Sequence, residues 1–353
     1  MNEERVRVGV VGLGFMGSTH ARNAEEFGHE VVAGVDVAED ARGEFAEMFD
    51  AATYGSATEM YGSEGLDAVT VSTPNAFHEE AVVPALEMGL DVFCEKPLAH
   101  TLESAERIAG AAREAEGFCA VNFHNRLSGA AAMLKEYQAE GRFGDVTHVE
   151  ANYVRRRGIP GLGTWFTSRE LAGGGALVDI GVHAIDFALY SLDYPEVESV
   201  FGVTRAEFGT REGYVDPDGW GDGTGGFEVE DSVTALVRCA GGQTISLEVS
   251  WAATREETDE FFVRGTDAGA RLALGGDELT IYDTGSQGVD HYRECTHEGS
   301  LEPDGWRGSD KLFLDAVAEG TAPESNTVEE ALTVQRVMEA IYRSSETGDA
   351  VGL

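Results

Sequence analysis

The sequence contains almost no lysine. Only Lys96, Lys135 and Lys311 occur among its 25 basic residues, and these face 64 acidic residues, giving a formal net charge of −39. A field of this sign repels nucleic acids and anionic membranes, so the sequence predicts neither as a partner. The acids are scattered through apolar, periodic segments and are not gathered in a tail, which indicates a folded chain.

The charge balance also suggests the salt concentration at which the protein works. Acid enrichment with so few lysines resembles the proteins of salt-accumulating haloarchaea. Molar salt shortens the Debye length to about 3 Å and would screen the self-repulsion of such a surface. Our hypothesis is that the protein is halophilic and works in a hypersaline cytosol.

Cysteine is scarce, and long apolar runs are missing. The four cysteines, Cys94, Cys119, Cys239 and Cys295, are far apart and include no CxxC pair, so we expect buried, reduced thiols. No metal site is predicted, because Asp179 and His183 have i, i+4 spacing but no evident third ligand. No apolar run reaches the roughly 18 residues of a membrane span, and the N-terminus lacks a signal-peptide layout. These features predict a cytoplasmic protein.

The first segment with a clear function is a glycine loop. The stretch "VRVGVVGLGFMG" is an apolar strand that ends in the GxGxxG pattern, and helix-like sequence follows it. In a dinucleotide-binding fold these glycines admit the pyrophosphate to the helix N-terminus. The predicted cofactor residues here are Gly12, Gly14, Phe15, Met16 and Gly17.

The second strand ends in an acid. Asp36 follows "EVVAGV", 19 residues beyond Gly17, where a carboxylate would bind the ribose hydroxyls of the adenosine. The same carboxylate would repel the 2′-phosphate of NADP, so NAD is favoured. Arg42 keeps NADP possible.

Apolar strands and amphipathic helices then alternate as far as "FCAVNF", which predicts a doubly wound parallel sheet. Ligands of such sheets bind beyond the carboxyl ends of the strands. Ser72, Thr73, Pro74 and Asn75 occupy one such position and Glu95 and Lys96 another, and all six belong to the predicted cofactor set. Because Lys96 is a rare lysine, we expect it to need the geometry or titration of an amine.

The second half of the chain contains an unusual helix, "GGGALVDIGVHAID". At 100° per residue Asp179, His183, Asp186 and Tyr190 fall within about 60° of each other on an otherwise apolar helix. A thin polar stripe on a buried helix predicts that it faces a cleft. The neighbouring β-rich runs are broken by glycines and predict further strands.

Together these motifs resemble the Gfo/Idh/MocA oxidoreductase family over nearly the whole chain. The most specific marks are "CEKPLA" and "GGGALVDIGVHAID", joined by "GLGFMG", "STPNAFHEEAV" and "VEDSVTALVRCAGG". The resemblance implies an N-terminal α/β Rossmann domain, residues 1–122, and a C-terminal α+β domain, residues 123–353. The second domain would carry a large, mainly antiparallel, open-faced sheet that forms subunit contacts in a homodimer or homotetramer.

The resemblance also implies a reaction, hydride transfer between a nicotinamide and a hydroxyl of a sugar, polyol or sugar acid. The family's catalytic Lys, Asp and His fall on Lys96, Asp179 and His183, and all three are expected to contact substrate. His183 would be the base, Lys96 would stabilise the reacting oxygen, and Asp179 would orient the ring or bind a neighbouring hydroxyl. Asp186 would support the helix. His78, in the family's "TPN…H" segment, would lie near the cofactor and either bind it or have a structural role.

Two further substrate contacts are predicted: Arg126, in "NFHNRL", and Trp165, which could stack on a sugar.

The run Arg155–Arg157 fits either ion pairing or anion binding, and the Gly/Asp-rich segment 209–227 fits either a solvated loop or a cover over the site. Two other functions stay open at this stage: NAD-dependent cleavage of glycosides, and a non-catalytic dinucleotide-binding regulator.

Overall fold

The computed structural model describes residues 5–217 and 226–353, and within them the chain divides into two compact units. The first contains residues 1–123 and 306–335, and the second contains residues 124–305 and 336–353. The predicted division at residue 122 leaves everything after it in one domain. In the structure, residues 306–335 return to the first unit.

The first unit is built on a six-stranded parallel sheet in the order β3-β2-β1-β4-β5-β6, which is the Rossmann order. Its strands are β1 Arg7–Val11, β2 Glu30–Val35, β3 Ala52–Tyr54, β4 Ala68–Val71, β5 Asp91–Cys94 and β6 Cys119–Val121. Its first helices are α1 Phe15–Glu26, α2 Glu39–Phe49, α3 Ala57–Ser63, α4 His78–Glu87 and α5 Leu102–Glu114. The predicted doubly wound sheet is confirmed.

The second unit is built on a nine-stranded sheet in which every neighbouring pair is antiparallel except β7 and β10. Its strands are β7 Val146–Val154, β8 Val197–Arg205, β9 Ser232–Cys239, β10 Thr244–Ser250, β11 Glu260–Gly265, β12 Gly269–Ala273, β13 Glu278–Gly285, β14 His291–Glu298 and β15 Val351–Gly352. Its helices are α6 Gly129–Ala139, α7 Arg169–Ala172 and α8 Val182–Ser191. The predicted mainly antiparallel sheet is confirmed.

Two further helices, α9 Gly305–Glu319 and α10 Val328–Thr347, follow β14 and precede the short strand β15. Phe313 of α9 stacks on Phe93 of β5, with ring centroids 5.0 Å apart, and joins the hydrophobic core that underlies β1. This packing explains why a segment almost 200 residues after β6 completes the first unit.

The helical run 169–191 has the length and mean hydropathy of a membrane span, but 83% of the tested window is buried inside the protein. The buried core helix of a globular unit can have the same length and hydropathy.

Cys94, Cys119 and Cys239 are buried free thiols as predicted, whereas Cys295 is exposed. The expectation of burial is wrong there because Cys295 lies on β14, the edge strand of the sheet.

Candidate active site

The glycine loop has the geometry of a pyrophosphate site. Gly14 is the N-cap residue of α1, and no side chain caps that terminus. A Cβ on Gly14 would meet no atom within 4 Å, whereas a Cβ on Gly17 would collide with the carbonyl oxygen of Gly12. The loop therefore leaves room for a ligand at its second glycine and packs closely at its third, as the dinucleotide fingerprint requires.

Asp36 lies beside this loop. One carboxylate oxygen accepts the Leu13 amide at 2.9 Å, and the other accepts the Ala38 amide at 2.8 Å. Arg42 donates to the backbone carbonyl oxygens of Asp36 and Val37. The carboxylate is thus fixed as an acceptor suited to ribose hydroxyls, and a guanidinium is anchored at the same strand end, so the residues fit NAD and also provide a cation for NADP.

The segment after β4 completes this edge of the sheet. Ser72 Oγ donates to the Gly12 carbonyl oxygen at 3.0 Å, and the buried Thr73 Oγ1 has no hydrogen-bond partner among the described residues. His78 is fully buried, with its ring nitrogens 3.0 Å from the carbonyl oxygens of Thr73 and Pro97. Burial lowers the pKa of His78, and the contacts of its ring with carbonyl oxygens of the segments after β4 and β5 favour a structural role.

The exposure of the other predicted cofactor residues varies. Phe15 is 73% exposed and Asn75 is buried. Met16, Pro74, Glu95 and Lys96 are half-buried. The cofactor contacts of all these residues stay predictions.

In the second unit, Asp179 lies on a π-helical turn, Leu177–Gly181, which leads directly into α8. The predicted stripe assumed a regular α-helix, but the π-turn changes the angular spacing, so the 100° rule holds only from Val182 onward. Trp251 Nε1 donates to Asp179 Oδ2 at 2.9 Å, and Arg155 Nη1 lies 3.9 Å from the same oxygen. Trp251 is fully buried, so it gives Asp179 a rigid anchor.

The start of this helical run is held by Glu230. Its Oε1 accepts the amides of Gly175 and Leu177, at 2.8 and 3.0 Å, and the Tyr342 hydroxyl at 3.0 Å. A Cβ on Gly175 would collide with the carbonyl oxygen of Glu230, which explains why glycine is needed at that point of "GGGA". Burial raises the pKa of Glu230. The carboxyl group thus fixes the turn that carries Asp179.

His183 is 6% exposed and packs edge-on against His124, with ring centroids 4.9 Å apart. The Asp179 side chain keeps 16% exposure. Asp179 is therefore partly exposed on a helical run whose other residues from Ala176 to Leu189, including His183, are buried.

The rest of the predicted polar stripe, Asp186 and Tyr190, packs around Arg126. Asp186 is 1% exposed and accepts two hydrogen bonds from the Arg126 guanidinium, at 2.5 and 3.1 Å. Tyr194 accepts from Arg126 and donates to Asp186. The guanidinium also lies 4.9 Å from the Tyr190 ring centroid. Asp186 supports the helix as expected, and this buried ion pair gives Arg126 a structural explanation, so its contact with substrate stays a prediction.

The remaining predicted residues lie on connecting segments, with Trp165 at the start of a short 3₁₀ helix, Trp165–Thr167. Trp165 is half-buried and stacks on Phe166, with ring centroids 3.9 Å apart. In the arginine run, Arg155 lies beside Asp179, whereas the Arg157 guanidinium is 5.0 Å from the Phe208 ring centroid. Residues 218–225 of the Gly/Asp-rich segment lie outside the described residues. Within residues 5–217 and 226–353, no group of three or more His, Cys, Asp or Glu side chains is placed to hold a metal ion.

Family models match both units. A model described as an oxidoreductase family with an NAD-binding Rossmann fold matches residues 6–123, and the GFO/IDH/MocA C-terminal domain matches residues 131–271. The D-glucoside 3-dehydrogenase of Escherichia coli (strain K12) is 33% identical over 296 residues, which cover 81% of this chain and 79% of that protein. The D-xylose 1-dehydrogenase (NADP(+)) 2 of Haloferax volcanii is 28% identical over 355 residues, 98% of each chain.

The fold has close structural neighbours. A levoglucosan dehydrogenase in complex with NADH and levoglucosan matches with a TM-score of 0.84 over 99% of both chains, at 23% identity. The Rossmann sheet, its glycine loop and the ribose-site acid define an NAD(P)-binding oxidoreductase. The chain belongs to the GFO/IDH/MocA family of oxidoreductases.

Several functional candidates were absent from the sequence-based prediction. Trp251 and Glu230 hold the Asp179 segment. His20 contacts Asp310 and also Glu95, the residue before Lys96. Glu230 occurs in "VEDSV", a mark of the family resemblance, so a signal for it existed. Nothing in the local pattern distinguishes the other three, because each meets its partner through long-range folding.

Proposed function

We propose that this enzyme oxidises a ring or chain hydroxyl of a sugar or polyol with NAD(P), using Lys96, Asp179 and His183. The observation that carries the proposal is the pair Asp179 and His183, a partly exposed carboxylate and a buried imidazole on one otherwise apolar helical run. Its relatives are named for oxidation of glucosides, levoglucosan, xylose and inositol, all of which present secondary hydroxyls.

The roles follow from the chemistry of alcohol oxidation. The bound nicotinamide supplies the hydride acceptor. His183 takes the hydroxyl proton, since imidazole can exchange protons near neutral pH. Lys96 donates a hydrogen bond to the reacting oxygen and offsets its negative charge. Asp179, anchored by Trp251, orients the ring of His183 or binds a neighbouring hydroxyl.

A substrate screen tests the proposal. Methyl β-D-glucoside, levoglucosan, D-xylose, myo-inositol and D-gluconate are each incubated with NAD or NADP in about 2 M KCl, and NADH or NADPH formation is followed by absorbance. We expect turnover of at least one sugar or polyol and a loss of about 10²–10⁴-fold in kcat for His183→Ala and Lys96→Ala. His291→Ala and Lys311→Ala, which alter an exposed-strand histidine and a lysine paired with Asp315, should retain wild-type turnover.

Other outcomes would contradict the proposal. Glycoside cleavage without net NADH would indicate a glycoside-cleaving enzyme that uses the cofactor transiently. Dinucleotide binding with no turnover of any substrate would indicate a regulator. Undiminished turnover in both active-site variants would remove Lys96 and His183 from the reaction.

We also propose a homo-oligomer joined through the open face of the nine-stranded sheet. Strand register places Phe201, Leu236 and Phe262 in one row across the sheet, with Ser246 of β10 and Glu150 of β7 between Leu236 and Phe262, and the three apolar side chains are 46, 50 and 37% exposed. Exposed apolar side chains in a row are typical of a subunit contact. Light scattering should show a dimer or tetramer, and Leu236→Asp should shift it toward the monomer; a wild-type monomer would contradict the proposal.

We further propose a hypersaline cytosol of haloarchaeal type as the native setting. The net charge of −39 supports this setting, and D-xylose dehydrogenases of Haloarcula marismortui and Haloferax volcanii are among the relatives. Thermal melts should show higher stability in about 2 M KCl than in about 0.1 M KCl, because the acidic surface repels itself when unscreened. Equal stability in both would contradict this setting.

A further inference from the structure

A cluster of buried polar side chains lies next to Lys96 in the first unit and has no role in the reaction described above. It joins helices α1 and α9 to the ends of strands β5 and β6. Its members are His20, Asn23, Glu95, Asn122 and Asp310.

His20 is the centre of the cluster. Its Nδ1 lies 2.6 Å from Asp310 Oδ1, and its Nε2 lies 3.0 Å from Glu95 Oε1. Asn23 donates to Asp310 at 2.5 Å, and Asn122 donates to Glu95 at 2.7 Å. The side chains of His20, Glu95 and Asp310 are 1, 11 and 4% exposed. Each carboxylate is therefore held by the same imidazole and by one amide.

The cluster carries charge. Burial alone would lower the pKa of His20, but the two carboxylates outweigh burial and raise this pKa to about 10. Burial alone would raise the pKa of Glu95, but the hydrogen bond and charge of His20 prevail and lower it to about 2. At neutral pH an imidazolium thus lies beside an ionised Glu95. Apolar packing of the same volume is often at least as stable as buried ions, so a core requirement alone does not explain this arrangement.

Glu95 connects the cluster to Lys96. The Glu95 amide donates to the carbonyl oxygen of Val71, which fixes its backbone to the end of β4. Its Oε1 is held by His20 and Asn122, and its Oε2 accepts the Lys96 amide at 3.2 Å. The Lys96 backbone is therefore hydrogen-bonded to a carboxylate that His20 immobilises.

We propose that His20, together with Asp310, is a positioning residue for Lys96 and acts through the Glu95 carboxylate. The proposal rests on the catalytic role proposed for Lys96. Because His20 lies on α1, which begins at the glycine loop, the cluster fixes the Lys96 backbone against the helix that receives the pyrophosphate. Without the imidazolium, Glu95 would be a largely buried anion held only by the Asn122 side chain and the Lys96 amide, and it would take up a proton or turn away, releasing the Lys96 amide.

The test compares His20→Gln and Asp310→Asn with the control His29→Gln. His29 is also buried in this unit, but its ring accepts the Val6 amide at the amino end of β1, far along the strand from the carboxyl edge. With the best substrate of the screen, His20→Gln should lower kcat by about tenfold, while KM and the Kd for NAD change less than about threefold. Asp310→Asn should give a smaller loss of the same kind, and His29→Gln should leave kcat unchanged.

Two measurements separate positioning from a general loss of stability. In a Lys96→Ala background, His20→Gln should cost less than about twofold in kcat, since its effect passes through the missing side chain. Hydrogen exchange at the Lys96 amide should accelerate in His20→Gln and not in His29→Gln, and this readout needs no substrate.

Unchanged kcat and unchanged amide exchange in His20→Gln would overturn the proposal, as would an equal loss of kcat with and without the Lys96 side chain. A Lys96→Ala variant with wild-type kcat would instead refute the catalytic role of Lys96. In that case the exchange measurement still decides whether His20 holds the backbone at residue 96.

Discussion

The two units anchor their candidate catalytic residues by different means. The Lys96 backbone is tied to an ionic cluster in which His20 is a buried cation, whereas the Asp179 carboxylate is held by the neutral indole N–H of Trp251. The turn beneath Asp179 is held by backbone amides that donate to Glu230. An ionic anchor depends on pH and fails when one partner is removed, and a neutral anchor is less sensitive to pH. The two units should therefore respond differently to substitution and to pH.

The largest expected effect comes from the buried ion pair in the second unit. Arg126→Met leaves the Asp186 carboxylate buried without its cation and should lower the free energy of unfolding by about 3–5 kcal/mol. Denaturant unfolding, followed by intrinsic tryptophan fluorescence, measures this change. Arg255→Met breaks an exposed pair with Glu248 in the same unit and should cost at most about 1 kcal/mol. Equal losses of unfolding free energy in Arg126→Met and Arg255→Met would show that the buried pair stabilises the protein no more than a surface pair does.

The next effect concerns the neutral anchor. Trp251→Phe keeps an aromatic ring but removes the N–H that Asp179 accepts, so kcat should fall by about tenfold. The same change in an Asp179→Asn background should cost much less, since the two residues act together. Phe261→Leu, a buried change in the same sheet, serves as the control and should leave kcat unchanged. A full loss in both backgrounds would mean that Trp251 does not act through Asp179.

The ionic anchor should give the first unit a pH-dependent stability. The pKa of His20 is raised from 6.5 to about 10, so its contribution is complete below pH 6.5 and is lost as the pH rises toward 10. The pKa of Glu95 is lowered from 4.5 to about 2, so its contribution is complete above pH 4.5 and is lost as the pH falls toward 2. Native-state hydrogen exchange of β5 amides should show this dependence on the alkaline side, and His20→Gln should flatten it. An unchanged profile in the variant would contradict the ionic account.

The smallest effect is expected at Glu230. Glu230→Gln keeps a carbonyl oxygen for the amides of Gly175 and Leu177, and burial already raises the pKa of this carboxyl group. Turnover should therefore change by less than about threefold, whereas Glu230→Ala should lower it further because two amides lose their acceptor. Initial rates with the best sugar provide the measurement. A severe loss in Glu230→Gln would show that the anchor needs a negative charge.

The features that depend on local sequence pattern were predicted correctly. The Rossmann order of strands follows from the alternation of strands and helices, and the fit of the glycine loop follows from Gly14 and Gly17. The stripe on the helix was predicted only in part. Asp179 falls on a π-turn, and Asp186 is neutralised by Arg126, because a residue count gives neither local unwinding nor a partner 60 residues away. The return of α9 to the first unit was missed for the same reason.

The central proposal is that Lys96 and His183 both take part, as a unit, in oxidising the substrate hydroxyl, and a double-variant cycle tests it most directly. The rate of NADH formation is measured for Lys96→Ala, His183→Ala and the double variant with one sugar under saturating NAD. Groups that act as a unit give non-additive losses, so the double variant should be no more than about tenfold slower than the slower single variant. Losses that multiply would show that the two residues act independently and would contradict the proposal.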